Sequence, residues 1–334
     1  MRKKEYTQEE GIFSCDAIFT ERLLFFVRCF SVFVQKQYLC GGKFWQTMNI
    51  AIFGNAMKQQ TLNEVQNLIE YMSAHQIHIF LSQELRKELN LRDYEVYPRE
   101  DEVLFSDMDP IDFALSVGGD GTFLTTAAAV GNKNVPILGI NCGHLGFLAE
   151  VQTQDVNYIM DRLLDGDYTV EPRSLLSVTC SESGRIMDPN ALNEVAIMKQ
   201  GLSSMITVET RLNGEFLHAY EADGLIVATA TGSTAYNMSV GGPLMTPQTP
   251  AFLLSPIASH SLNVRPLVIP DDSKIDLSIR SRNGNYLVSV DGRSQGFSDD
   301  ITLHIEKANY SVRLVQIGTN GFIHSLKVKL NWGR

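Results

Sequence analysis

Between residues 49 and 164 the chain alternates short apolar segments with segments whose apolar residues recur at helical spacing. The apolar segments predict strands at 50–53, 77–81, 113–117 and 135–140. The helical spacing predicts helices at 61–72, 122–130 and 156–164. Strands separated by helices in this way are typical of a parallel sheet covered on both faces, so the first half is predicted to be a doubly wound α/β domain.

The second half of the chain follows a different pattern, in which strand-like segments are joined by short turns. These segments lie at 174–179, 194–199, 205–212, 215–220 and 225–229. Asn213-Gly214 predicts a two-residue hairpin between two of them. Further pairs are predicted between 274–280 and 286–290, through Asn283-Gly284, and between 301–306 and 310–317. This half is therefore predicted to be β-rich, mostly antiparallel and sandwich-like.

The change of pattern predicts two domains, at 48–150 and 151–334, with the C-terminal tail returning to the first. Residues 1–47 differ from both, since basic residues outnumber acidic ones there. Their apolar run, 23–34, is shorter than the roughly 20 residues that a membrane span needs. Met48 opens a segment that leads directly into the first strand. We therefore expect 1–47 to be an upstream extension outside the native fold, with a membrane-directing leader as the alternative.

The composition is that of a globular protein, with 44% hydrophobic and 20% charged residues. The formal net charge of −10 disfavours binding to nucleic acid or to anionic membranes, because both require clustered Lys and Arg. The five cysteines form no CxxC pair and no ligand spacing with histidine, which argues against a disulfide framework or a structural zinc site. A cytoplasmic location is the simplest prediction.

The first chemical feature is a glycine-rich turn between a predicted strand and a predicted helix. Gly118, Gly119 and Gly121 allow a sharp turn and let a phosphate approach the backbone N–H groups. Asp120 lies inside this turn, where bound phosphates would repel its carboxylate. A carboxylate at such a place has two plausible tasks: to accept a proton from an attacking hydroxyl or to hold a divalent cation. An ordinary Asp-Gly turn is the alternative. The turn matches neither the Walker pattern nor GxGxxG.

A second feature is a turn dense in hydroxyl groups, which follows an apolar strand that begins after Asp223. Thr231, Ser233 and Thr234 could cap the next helix, or they could bind ribose or phosphate. Tyr236 offers a ring and a hydroxyl to a nucleotide. The turn therefore has two interpretations, a helix cap and a nucleotide-binding segment.

A third feature is the pair Asn193-Glu194 at the start of a predicted strand. An amide beside a carboxylate can bind a ribose diol or an adenine amine, because the pair offers both donors and acceptors. Such pairs are also common at strand ends, so the pair alone indicates little.

In this order and spacing, these segments resemble the NAD kinase family. The resemblance rests on Gly118-Gly119-Asp120-Gly121-Thr122, residues 140–148, Asn193-Glu194, Asp223-Gly224 and residues 231–236, with further likeness at 255–267 and at Asp291-Gly292. It covers residues 48–334 and leaves 1–47 unmatched. The sequence departs from the commoner family pattern at Thr125, Asn237, Met238 and Arg293.

The resemblance implies a role for each matched residue. Asp120 would be the general base on the 2′-hydroxyl of the adenosine ribose of NAD. The backbone of the surrounding turn would contact phosphates, through Gly118, Gly119, Gly121 and Thr122. The residues implied to line the dinucleotide site are Asn193, Glu194, Asp223, Thr231, Ser233, Thr234, Ala235, Tyr236, Asn237, Met238 and Ser239.

The implied reaction moves the terminal phosphate of ATP onto NAD and gives NADP, with Mg²⁺ as the expected divalent cation. The implied assembly is a homodimer or homotetramer. Two alternatives stay open: a diacylglycerol-type lipid kinase, which shares the GGDG turn, and a non-catalytic NAD(P) sensor. The sequence alone leaves open the choice of donor and the choice between NAD and NADH.

Overall fold

The structure is a computed structural model, and it describes residues 48–98, 111–143, 146–149, 151–152, 156–181, 186, 188–201, 204–318 and 321–332. The predicted extension 1–47, together with His144 and Leu145 of the matched segment 140–148, lies outside these ranges. In the described ranges no helix is both long enough and apolar enough to cross a membrane.

The first half forms the parallel part of a 12-stranded sheet. Its strands are β1 (Asn49–Gly54), β2 (His78–Leu81), β3 (Glu95–Val96), β4 (Phe113–Val117), β5 (Pro136–Asn141) and β6 (Val151–Gln152). Its helices are α1 (Gln59–Ala74), α2 (Gln83–Glu88), α3 (Asp120–Val130) and α4 (Val156–Leu164). Strands β5, β4, β1, β2 and β3 lie side by side in this order and are all parallel.

Successive side chains of these strands are buried on opposite faces of the sheet, because side chains alternate in direction along a β-strand. Ile50 and Leu115 point to the face covered by α1, α2 and α4, whereas Ala51 and Ala114 point to the face covered by α3. Helices therefore cover both faces, which confirms the predicted doubly wound α/β architecture.

The second half supplies β7 (Thr169–Cys180), β8 (Asn190–Ala191), β9 (Glu194–Lys199), β10 (Ile206–Leu212), β11 (Glu215–Ala222), β12 (Gly224–Thr229), β13 (Ala251–Ile257), β14 (Leu267–Pro270), β15 (Ile275–Arg280), β16 (Asn285–Val290), β17 (Arg293–Ser298) and β18 (Thr302–Gln316). It also contains a 3₁₀ turn (Thr231–Thr234), α5 (Tyr236–Ser239) and α6 (Phe322–Leu330). An antiparallel six-stranded sheet has the order β14-β13-β12-β9-β16-β17. Its inner face packs on the antiparallel part of the large sheet through residues such as Val195, Leu225 and Leu277. This confirms the predicted β-rich, sandwich-like half.

Strand β18 connects the two architectures. Its first half pairs with β15 and its second half with β5, while β7 runs antiparallel along its other edge. Arg313, Leu314 and Val315 thus join the parallel strands from the far end of the sequence. The division into domains at 48–150 and 151–334 stays a prediction, because the large sheet takes strands from both stretches.

Two of the predicted strand pairs are wrong. Residues 274–280 and 286–290 do not form a hairpin, since β15 belongs to the large sheet and β16 to the small one. Residues 301–306 and 310–317 form one strand, in which a bulge between Lys307 and Ser311 replaces the predicted turn. The Asn213-Gly214 hairpin is confirmed, with both residues at positive φ, as a two-residue turn requires.

Candidate functional site

The glycine-rich turn joins β4 to α3. Gly118 has a φ of +156°, which side chains rarely adopt, and a Cβ there would lie 2.3 Å from the hydroxyl oxygen of Thr122. Gly119 and Gly121 are exposed, and apart from the adjoining backbone no heavy atom lies within 4 Å of the position that a Cβ would take. The backbone at the start of α3 is therefore open to solvent, as an anion-binding helix N-terminus must be.

Asp120 is the first residue of α3, and its carboxylate is held by a second loop. Its Oδ2 accepts the N–H of Phe147 at 3.0 Å, and its Oδ1 accepts those of Leu148 at 3.0 Å and Ala149 at 3.2 Å. The side chain is still 32% exposed, and Lys329 Nζ lies 3.5 Å from Oδ2. Three donors fix the orientation of the carboxylate, while one side of Oδ2 faces a cation and solvent.

The loop that holds Asp120 is shaped by a close approach at Gly146. A Cβ at this position would lie 2.0 Å from Asp120 Oδ1. The N–H of Gly146 donates to the carbonyl of Ala149 at 3.2 Å, which links the two ends of the segment whose N–H groups donate to the carboxylate. The loop and the acidic side chain thus form one unit.

A second carboxylate, Asp291, holds the Asn193-Glu194 pair in a similar way. It lies in the turn between β16 and β17, with a φ of 47°. Its Oδ2 accepts the N–H of Leu192 at 2.7 Å, and its Oδ1 accepts those of Asn193 at 2.8 Å and Glu194 at 3.1 Å. Burial raises the pKa of Asp291, although these three donors and Arg293 favour its charged form.

Glu194 and Thr231 present buried polar atoms with open hydrogen-bonding capacity. Glu194 is 9% exposed and Thr231 is 6% exposed. Among the described residues, neither Glu194 Oε2 nor Thr231 Oγ1 has a hydrogen-bond partner. Because buried polar atoms are rarely left unpaired, two such atoms on neighbouring motifs indicate a place for a polar ligand.

The pKa of Glu194 is raised to about 7, mainly by burial and further by the charge of Asp291. A hydrogen bond from the backbone N–H of Tyr236 acts in the opposite direction. Near neutral pH this side chain therefore exists in both forms, and it can either donate or accept a hydrogen bond.

The hydroxyl-rich turn is mostly occupied with its own structure. Ser233 Oγ donates to the carbonyl of Met245 and accepts its N–H, and Thr234 Oγ1 donates to the carbonyl of Thr231. Asn237 is fully buried, its amide group bonded to two carbonyls and its oxygen to the Ser255 hydroxyl. Its contact with a ligand stays a prediction, as do those of Ala235, Tyr236, Met238 and Ser239; of these four, Tyr236 and Ser239 are exposed.

The two carboxylate-centred groups are connected by a shared core. Phe123 of α3, Leu148 of the loop beside Asp120 and Leu192 beside Asn193 belong to one buried apolar cluster. A cavity of about 540 Å³ is lined by Leu124 of α3 together with Leu192 and Asp291. Helix α3, which follows the glycine-rich turn, and Leu192, which precedes the Asn193-Glu194 pair, therefore pack on the same core.

Asp223 is the predicted site residue that lies apart. Strand β12 separates it from the hydroxyl-rich turn, and six residues of strand span about 20 Å. Asp223 forms an ion pair with Lys199, Oδ1 to Nζ 2.6 Å, at the end of β9 opposite to Glu194. Its predicted role at the dinucleotide therefore stays untested.

Two side chains at the site were missed by the sequence reasoning. Asp291 enters the sequence analysis only as part of the family likeness, and nothing there indicates that its carboxylate holds the segment 192–194. Lys329 had no motif around it, yet it is the cation beside Asp120. Both contacts join positions distant in the sequence, so no local pattern could reveal them.

The described residues contain no group of three His, Cys, Asp or Glu side chains arranged to hold a metal ion. The Asp120 carboxylate is already engaged by three amides. In the described part of the chain, protein side chains alone thus do not form a cage for a divalent cation.

Replacing Glu194 by Gln should change how stability depends on pH. Below pH 4.5 the Glu194 carboxyl is protonated in both the folded and the unfolded wild type. Between pH 4.5 and about 7 it is protonated only in the folded state, so the free energy of unfolding falls as the pH rises. This raised pKa corresponds to a loss of roughly 3 kcal/mol of folding stability above pH 7. Because Gln carries no charge, Glu194→Gln should be more stable than the wild type by about this amount at pH 8, but not at pH 4.5. Urea unfolding at both pH values measures this, with exposed Glu215→Gln as the control. Identical pH dependence in wild type and Glu194→Gln would contradict the environment described for Glu194.

Comparison with known proteins gives matches over most of the chain. The model of the ATP-NAD kinase N-terminal domain matches residues 50–168, and that of the C-terminal domain matches residues 192–317. The NAD kinase of Bacteroides fragilis is 41% identical over 286 residues, which cover 86% of this chain and 98% of that protein. The NAD kinase of Flavobacterium johnsoniae is 39% identical over 293 residues, with the same coverage.

Two solved structures have a similar fold. Yeast NADH kinase complexed with NADH gives a TM-score of 0.76 at 24% identity and covers 86% of this chain and 89% of its own. An NAD kinase from Archaeoglobus fulgidus in complex with ATP gives a TM-score of 0.66 at 26% identity, with coverage of 85% and 99%.

The two matched domains and the similar NAD kinases place this chain among the phosphotransferases of the kinase class. Within that class the chain belongs to the NAD kinase family.

Proposed function

We propose that this chain is an NAD kinase, which transfers the terminal phosphate of ATP to the 2′-hydroxyl of the adenosine ribose of NAD and releases NADP. The NAD kinases of Bacteroides fragilis and Flavobacterium johnsoniae support this assignment at about 40% identity over most of both chains. The archaeal relative that carries ATP in its structure supports ATP as the donor.

The observation that carries the proposal is the fixed carboxylate of Asp120 at the open start of a helix. A carboxylate has about four lone-pair positions, and backbone amides occupy three of those on Asp120. Oδ2 accepts only one of these amides, and the side chain is 32% exposed beside Lys329, so solvent or a ligand can reach it. A hydroxyl that arrives there meets an oriented acceptor, next to backbone N–H groups at a helix end that favours phosphate.

In the proposed reaction, the 2′-oxygen of NAD attacks the terminal phosphorus of ATP while its proton passes to Asp120 Oδ2. The bond between that phosphorus and the bridging oxygen breaks, and ADP leaves with the electron pair. Such transfers have a loose, highly charged transition state, so positioning and charge neutralisation supply most of the catalysis. Asp120 and the turn of Gly118, Gly119, Gly121 and Thr122 are the proposed catalytic and phosphate-binding elements.

For recognition of NAD we propose the segment that Asp291 holds. Glu194 Oε2 and Thr231 Oγ1 are buried and lack partners among the described residues, so a ribose or adenine group that bonds to them would satisfy both. Asn193 adds an amide beside them. The proposed lining continues through the hydroxyl-rich turn to Ser239, while Asp223 remains a proposed contact without support from its position.

Mg²⁺ is the proposed cofactor. In proteins this ion is usually held by one or two carboxylates together with substrate phosphates, so we propose that it arrives with the nucleotide. When bound it would neutralise part of the phosphate charge. The cytoplasmic location and the assembly as a homodimer or homotetramer remain predictions from the sequence.

The alternatives lack comparable support. A lipid kinase would share the GGDG turn but not both matched domains. A non-catalytic sensor would have no use for a carboxylate held beside a phosphate-binding turn.

Incubation of the full chain with NAD, ATP and Mg²⁺, followed by enzymatic measurement of NADP, tests the proposal. We expect NADP to accumulate with time and with protein concentration. Binding of NAD without product would instead support the sensor. Absence of both, with phosphate transfer to diacylglycerol in vesicles, would support the lipid kinase.

A further inference from the structure

The C-terminal helix α6 packs against the loop that holds Asp120. Ring centroids of Phe147 in this loop and Phe322 in α6 are 6.1 Å apart. Lys329, near the other end of α6, has its Nζ 4.3 Å from the Phe147 ring centroid and 3.5 Å from Asp120 Oδ2. Both ends of the helix thus contact the loop, and one of them brings a cation to the carboxylate.

The position of Lys329 is constrained on several sides. Ser325 and Leu326 anchor α6 as buried residues. The aromatic face of Phe147 attracts the ammonium group, and the charge of Asp120 attracts it from the other side. The side chain is 29% exposed, so solvent reaches it and a ligand can approach. Lys327 on the same helix is exposed and serves as a comparison.

We propose that Lys329 is a positioning residue of the kinase, one that orients Asp120 Oδ2 and offsets its charge while the anionic donor is bound. This inference rests on the proposed function. A base beside three phosphates meets repulsion, and a cation within 4 Å of it counteracts that repulsion. The amides of 147–149 orient the carboxylate but carry no net charge. Lys329 supplies a positive charge beside Asp120, so this one residue of the C-terminal helix supports the proposed base.

The test compares Lys329→Met, Lys329→Arg and the matched control Lys327→Met in the full chain. Lys329→Met keeps the apolar stem and removes the charge. We expect its kcat to fall about 10- to 100-fold, less than the roughly 100- to 1,000-fold lost when an oxyanion-hole donor is removed, with little change in KM for NAD. Lys329→Arg should restore most of the turnover, and Lys327→Met should match the wild type. Thermal unfolding should be similar for all four proteins.

A second variant separates charge from packing. Lys329→Ala leaves room beside Phe147, and added ethylammonium chloride should raise its kcat with concentration. The same ionic strength of sodium chloride should not, nor should ethylammonium raise the kcat of the wild type. A purely structural helix would show no such rescue.

The inference is overturned if Lys329→Met turns over like the wild type. It is also overturned if neither arginine nor ethylammonium restores activity and the losses follow lowered thermal stability. Failure of the proposed function looks different, because then the wild type itself makes no NADP. An active wild type with an equally active Lys329→Met would refute only the role of Lys329.

Discussion

Replacing Asp120 by Asn is expected to lower the kcat for NADP formation about 100- to 10,000-fold, the range that a general base contributes. The amide cannot accept the proton from the ribose hydroxyl. NAD binding, measured by calorimetry, should persist because the buried polar atoms of Glu194 and Thr231 are unchanged.

The same substitution should also cost stability, because the carboxylate holds a loop. Asn has one oxygen for Leu148 and Ala149, but its NH₂ group would face the N–H of Phe147. The N–H of Phe147 would then have no acceptor. A buried unpaired donor lowers the free energy of unfolding by about 1–3 kcal/mol, and we expect a smaller loss here because the Asp120 side chain is partly exposed.

A matched control lies at the other end of β4 from Asp120. Asp112 lies just before β4, at the end opposite to the glycine-rich turn, and accepts the N–H of Asn49 at 2.9 Å. Asp112→Asn should keep normal turnover. If Asp120→Asn also kept it, Asp120 would not be the base.

Asp291→Ala is expected to destabilise the fold by several kcal/mol and to abolish NAD binding. The N–H groups of Leu192, Asn193 and Glu194 would lose their acceptor in a buried place. Each unpaired group costs about 1–3 kcal/mol, so the sum is a large part of a typical stability of roughly 5–15 kcal/mol. The released segment could then no longer present Glu194 to a ligand.

Urea unfolding and NAD calorimetry would check this, with Asp299→Ala as the control. Asp299 also follows a strand and accepts a single backbone N–H, that of Ser281, at 3.2 Å. Its loss should cost about 1 kcal/mol and leave binding intact. A similarly small loss in Asp291→Ala would show that the segment 192–194 does not depend on the carboxylate.

Much of the α/β half was predictable because its signals are local. The apolar run 113–117 and the helical spacing at 156–164 match β4 and α4 residue for residue. Alternation of strand and helix then leaves few arrangements besides a doubly wound sheet.

The pairing of the later strands was less predictable. Asn283-Gly284 has the composition of a hairpin turn, and Gly284 does adopt a positive φ, yet the flanking strands diverge into different sheets. Leu277 and Val288 are buried in the same core although their strands belong to different sheets. Two neighbouring strands of one sheet would bury them equally well, so burial does not reveal the pairing. Local composition therefore indicates a turn without determining the partner of each strand.

For the candidate site the same limit applies. Gly118, Asp120 and Glu194 carry signals in their own segments. The contacts that hold them come from elsewhere: Asp291 is 97 residues from Glu194, and Lys329 belongs to the last helix. A sequence pattern predicts which groups are reactive, whereas the folded chain determines which groups support them.

The place of β18 also affects how the protein is made. Pro136 in β5 pairs with Arg313, which the ribosome adds 177 residues later. Until then the nascent N-terminal half has an incomplete sheet, whose β5 edge exposes unpaired backbone groups of the kind that recruit other chains. Such distant pairing also favours slow folding. We therefore expect a chain that stops before Thr302 to aggregate rather than to fold as an isolated α/β domain.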